Sequence, residues 1–228
     1  MSVRWGEPRA GCYVNFSRDE IGDVLARELY LSAGLDPALA YGAPSVAAAV
    51  LGESCLQFMR DDDLPCRSLI SHARPRWIIY LRESLSGRQL NHAIAHELGE
   101  WFLQRRGYSE PDIEMLSSSV AAAICVPRAA LLVALGQLGE DAAALSQQFQ
   151  VSESLMELRL AECLGFPTAL ITEKVVLTRG EPRRWPTTRK GWTWLVGWVR
   201  AHKNGLAVRS LSDSPNRLVL QYHERHAF

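Results

Sequence analysis

The chain has 228 residues, 47% of them hydrophobic, and its 25 basic residues balance 25 acidic ones. These figures exclude a disordered chain and leave room for one domain with a real core, or for one plus a small appendage. Zero formal charge gives the chain as a whole no bias towards nucleic acid or a membrane surface, and no apolar run approaches the roughly 20 residues that a bilayer crossing needs.

Residues 1–22 lack the apolar stretch of a signal peptide, which points to the cytoplasm. Cys12, Cys55, Cys66, Cys125 and Cys163 are odd in number and form no CxxC pair. They read as reduced, mostly buried thiols and not as a disulfide frame or a zinc knuckle.

In chain order, RDEIGDVLARELYLSA (18–33) spaces its apolar residues helically behind an acidic first turn, and Gly34 follows. After Pro44 and Ser45, SVAAAVLG predicts a shorter helix. Leu56 to Met59 predict a strand, DDDLP (61–65) a polar turn, and RWIIYL (76–81) a strand rich in aromatic and β-branched residues. Ser86-Gly87 breaks the chain before a helix from Gln89 to about Arg106, apolar around much of its circumference and therefore buried. Pro111-Asp112 opens another helix that Pro127 stops. Two more are predicted at about 128–138 and 140–149, and then VSESLMELRLAECLG supplies a capping Ser152. From Glu173 onward the pattern becomes short and alternating. EKVVLTRG, WTWLVGWVRA, GLAVRSL and RLVLQYH suggest a small antiparallel meander, with a boundary near residue 172.

The helix around NHAIAHELGEW (91–101) carries the chemistry. Histidines four residues apart on one helical face can share a zinc ion, and in HExxH the Glu after the first of them activates the bound water as general base. His96 and Glu97 keep the first two roles, while Glu100 stands where the second His would be. A carboxylate can fill a ligand position, but an anion in place of imidazole lowers the charge of the site and makes a bound water a weaker acid. His92 and His96 are a competing i, i+4 pair without a neighbouring base. The plain alternative is a buried polar helix without metal.

The chain resembles the ImmA/IrrE family of metallopeptidases over roughly residues 20–172. The resemblance rests on five ordered segments: SVAAAVLGESCLQF (45–58), RWIIYL (76–81), RQLNHAIAHELGEWFL (88–103), EMLSSSVAAAICVP (114–127) and VSESLMELRL (151–160). It implies Glu97 as base and His96, Glu100 and Glu114 as ligands of zinc, with manganese as the alternative for a set of one nitrogen and two oxygens. It departs from the family at Glu100, where His is usual. Read without the resemblance, Glu114 is an acid favouring a helix dipole. His92 is a group that hydrogen-bonds and orients a metal ligand, a substrate-side group or a structural histidine, and Cys66 a thiolate able to mask a metal.

Residues 179–228 hold ten Arg or Lys against three acids, a net of +7, together with Trp185, Trp192, Trp194 and Trp198. Basic groups interleaved with aromatics suit single-stranded nucleic acid. A packed β module with a solvated basic rim is the simpler reading, because Trp192 and Trp194 are two apart and share a strand face. RRWPTTRKG (183–191) is the more promising contact.

The expectation is an α+β protein: a zincin-like helical domain with a small sheet over residues 1–172, followed by a basic Trp-rich β module over 173–228. The resemblance implies a cytoplasmic metal-dependent endopeptidase making a limited cut in a helix-turn-helix repressor, which induces stress, mobile-element or defence genes. The alternative is a non-catalytic descendant that recognises a repressor or single-stranded nucleic acid. Neither reading has a membrane partner.

Overall fold

A computed structural model describes residues 18–164 and, beyond them, four strands at 168–171, 176–179, 206–210 and 218–222. Seven α-helices and two small sheets make the described residues a mostly helical α+β protein. No single described helix is long and apolar enough to cross a membrane. The chain divides into two compact units, residues 1–133 and 134–228.

The first unit opens with α1 (Arg18–Ser32) and α2 (Ala43–Leu51), which Pro44 starts. Then come β1 (Leu56–Arg60), β2 (Ser68–Ala73) and β3 (Arg76–Leu81) in the order β1-β3-β2. β1 runs parallel to β3, and β2 pairs antiparallel with it from Ser68↔Leu81 to Ala73↔Arg76. The expected strands at 56–59 and 76–81 are both present. β2 was not expected, because Ser68, Ser71 and His72 dilute the β-branched signal that marks β3.

The long helix α3 (Gly87–Arg105) starts at a capping box, in which Ser86 and Gln89 satisfy each other's backbone donors. Helix α4 (Glu110–Cys125) begins with Pro111 in its first turn. It packs against both α1 and α3, where Leu25, Leu29, Leu98, Leu103, Val120 and Ile124 are almost wholly buried. Two polar ties cross this core. The Tyr30 hydroxyl donates to the Ile124 carbonyl near the end of α4 (2.7 Å), and the buried Asn91 on α3 accepts from the Ala43 N–H at the start of α2 (2.6 Å).

Helix α5 (Arg128–Leu138) runs across the division between the units. In the second unit Asp141 caps α6 (Ala142–Gln148) by accepting from the Ala143 and Ala144 N–H groups. The Ser152 hydroxyl accepts from the Leu155 N–H at the start of α7 (Glu153–Leu164), as the capping reading expected. Four antiparallel strands follow in the order β5-β4-β7-β6: β4 (Thr168–Ile171), β5 (Val176–Arg179), β6 (Leu206–Ser210) and β7 (Leu218–Tyr222). The composition change near residue 172 falls between β4 and β5, so a strand that precedes it joins the sheet. WTWLVGWVRA and RRWPTTRKG lie outside the described residues. Of the four described cysteines, all free, Cys125 and Cys163 are buried, Cys55 is partly exposed and Cys66 is exposed. Burial of thiols is thus less general than composition suggested.

Helix α4 meets its neighbours through glycines. A Cβ on Gly22 would stand 2.8 Å from the Ser119 carbonyl carbon, and one on Gly99 would stand 3.2 Å from Val120 Cγ1. Gly22→Ala is expected to destabilise the protein by about 1–3 kcal/mol through overpacking. Gly87→Ala, with nothing within 4 Å of the new methyl, should change little. Urea denaturation of both variants checks this, and an unchanged midpoint for Gly22→Ala would refute the close approach of α1 and α4.

Candidate functional site

The apolar stripe of α3 fixes the orientation of its polar residues. With Ala95, Leu98 and Leu103 in the core, His92, His96 and Glu100 fall at i, i+4 and i+8 on one half-buried face. His96 Nε2 and Glu100 Oε1 are 3.0 Å apart, and the His92 and His96 rings stack with centroids 6.5 Å apart. Hydrogen bonding to Glu100 holds the His96 pKa above its ordinary value against the opposing effect of burial, with the charges of Glu100, Glu97 and Glu114 adding to it. His92 goes the other way. Burial, reinforced by the nearby His96 and Arg67 charges, pushes it down to about 4.

Glu97 turns away from that face. Only 4% exposed, its carboxylate accepts from the Ser68 hydroxyl at Oε1 (2.7 Å) and from the Ile70 N–H at Oε2 (2.8 Å). Both donors belong to β2. Burial raises the Glu97 pKa, the two hydrogen bonds oppose it, and the Glu100 charge adds to the rise. The residue expected to activate water therefore clasps a sheet edge to a helix, and Ser68 and Ile70 were missed with the strand that carries them. The signal was present in SLISHA, a short alternation running into the Arg74-Pro75 break.

Among the described residues no group of three or more His, Cys, Asp or Glu is arranged to hold a metal ion. Of the three expected ligands, His96 and Glu100 are brought into contact, while Glu114 is exposed on α4 and reaches His96 only through its charge. The Cys66 thiol, chemically able to mask a metal, donates to the Ser68 carbonyl at 2.9 Å.

With this geometry in view, comparison with known proteins is informative. Residues 59–161, from the end of β1 into α7, match the family model of the IrrE N-terminal-like domain, Peptidase_M78. That match makes residues 59–161 an IrrE N-terminal-like domain, of the ImmA/IrrE family of peptidases. A solved Mycobacterium tuberculosis transcriptional regulator is similar in structure over 92% of this chain and 91% of its own, with a TM-score of 0.58 and 14% sequence identity. At that identity the likeness establishes a shared fold. No curated protein matches the sequence.

Two predictions follow from the clasp and from the histidine seam. Ser68→Ala leaves a buried carboxylate oxygen short of a donor and should destabilise the protein by about 1–3 kcal/mol in chemical denaturation. Folding lowers the His92 pKa, so between its ordinary value of about 6.5 and about 4 the unfolded chain binds more protons. That contribution to stability is complete above the ordinary histidine range and is lost as pH falls towards 4. His96, with its raised pKa, contributes stability below the ordinary histidine range that is lost as pH rises through the raised value. His92→Asn should accordingly flatten the loss of stability on acidification, measured by denaturation at a series of pH values.

Proposed function

We propose that this protein controls transcription by recognising a DNA-binding repressor through its IrrE-like domain, and that it holds the repressor without cutting it. One observation carries this reading. The Glu97 carboxylate, which a zincin mechanism needs as a base beside a metal-bound water, is buried and accepts two hydrogen bonds from β2. Freeing it breaks both bonds and loosens the strand. The Glu100 substitution points the same way, since a second anion beside His96 lowers the acidity of any water a metal would bind. A transcriptional regulator among the solved relatives is consistent with the assignment. The setting would be the cytoplasm, with stress, mobile-element or defence genes under control.

A second reading has its own support. His96 and Glu100 stand 3.0 Å apart in the HExxE register, the separation of two ligands that wait for an ion. On this reading zinc, or manganese, is held by His96, Glu100 and Glu114, Glu97 is the base, and the repressor receives a limited cut.

The test purifies the protein without chelator, measures metal by mass spectrometry, and mixes it with candidate helix-turn-helix repressors from the same genome. The expected result is substoichiometric metal, an intact repressor and a stable complex that Glu97→Gln leaves unchanged. Repressor fragments formed by the parent, and absent with Glu97→Gln, would overturn the non-catalytic reading and establish the second.

A further inference from the structure

The tip of the β2–β3 hairpin carries an aromatic and cationic array that the IrrE-like site does not use. His72 and Trp77 face each other across the hairpin, their rings stacked with centroids 4.1 Å apart and planes 17° from parallel. Trp101, from α3, meets Trp77 edge-on at 5.8 Å, and the Arg105 guanidinium lies over the Trp101 ring at 5.2 Å. His72 and Arg105 are exposed, Trp77 half-buried and Trp101 buried. The array is therefore a ladder rooted in the core and ending in a ring open to solvent, held in one orientation before anything binds.

Its charge is all of one sign. Between Leu64 and Arg82 the sequence has Arg67, Arg74, Arg76 and Arg82 and no acid. Arg74 sits at the hairpin turn, and strand alternation places Arg76 on the sheet face opposite Trp77. Both are exposed, and among the described residues neither forms an ion pair with a carboxylate.

We infer that this hairpin tip binds single-stranded nucleic acid, one base stacking on His72 and the flanking phosphates lying along Arg74 and Arg105. A rigid aromatic ring with arginines at its margin provides the two components of such binding, stacking on the base and neutralisation of the backbone. Duplex nucleic acid keeps its base faces covered and would use only the charge. The contact is separate from repressor recognition and stands or falls without it. In sequence it is distinct from the basic tail at residues 183–190.

Fluorescence anisotropy of a labelled oligothymidylate with the full chain, over a salt series, tests the inference. The variants are His72→Ala, the pair Arg74→Glu and Arg105→Glu, and a tail variant with Arg183, Arg184, Arg189 and Lys190 reversed to Glu. Circular dichroism confirms that each is folded, and the exposed Arg74→Glu alone serves if the pair is not. Stacking on one base is worth about 1–3 kcal/mol, so His72→Ala should weaken binding at least about fivefold. The arginine pair should weaken it further and make the slope of log affinity against log salt shallower by about 1.4, which a purely structural role in the hairpin would not do. Binding by the hairpin variants equal to that of the parent overturns the proposal, whether or not the tail variant binds. So does a parent that fails to bind the oligonucleotide at low salt, which would leave the array to a protein partner.

Discussion

A buried carboxylate that accepts two hydrogen bonds from an edge strand is a structural commitment, because each bond broken leaves a charged oxygen short of a donor where water cannot easily replace it. Glu97 makes that commitment between α3 and β2. The strand has little else to hold it in register on that side: it lies at the edge of a three-stranded sheet, and Leu69, next to Ser68, is largely exposed. The helix gains as well, since the same contact sets its rotation and so directs His92, His96 and Glu100 to one face. The composition of the site therefore follows from a bond between a helix and a strand.

The match to the IrrE N-terminal-like domain and the geometry of the site answer different questions. The family match covers residues 59–161 and accounts for the order of helix, sheet and Pro-terminated helix. It does not determine how an anion at position 100 behaves. Beside His96 the Glu100 carboxylate has two stable arrangements, as one ligand of a shared cation or as the hydrogen-bond acceptor for a charged imidazole. The second satisfies both groups without a third partner, and the 3.0 Å between His96 Nε2 and Glu100 Oε1 suits it.

Much of this was legible in the sequence, for local reasons. Helices α1, α3, α4 and α7 are announced by apolar periodicity and by capping residues that act within a few positions, as Ser86 with Gln89 and Ser152 with Leu155 do. β3 is announced by its β-branched and aromatic run. The contact of His96 with Glu100 follows from i, i+4 geometry alone. Strand β2 and the partners of Glu97 were not legible, because Ser68 lies 29 residues from Glu97 and a serine in a polar stretch does not announce a buried bond. His72 escaped for the same reason: its value lies in a ring brought alongside it by strand pairing. The position of Glu114 on α4 was readable, but its separation from the His96 face depends on how two helices cross.

That crossing is governed by the two glycines against which α4 lies. Gly22 of α1 faces Ser119, and Gly99 of α3 faces Val120, so consecutive residues of α4 meet helix backbone or side chain at van der Waals range on both neighbours. A helix gripped between two such notches has no freedom to slide or roll by a fraction of a turn. Its middle is therefore bound by geometry to small or closely fitting residues, while its first turn, with Glu110 and Asp112, stays open to change. Substitutions in that turn can therefore change the charge of the surface without any movement of the frame.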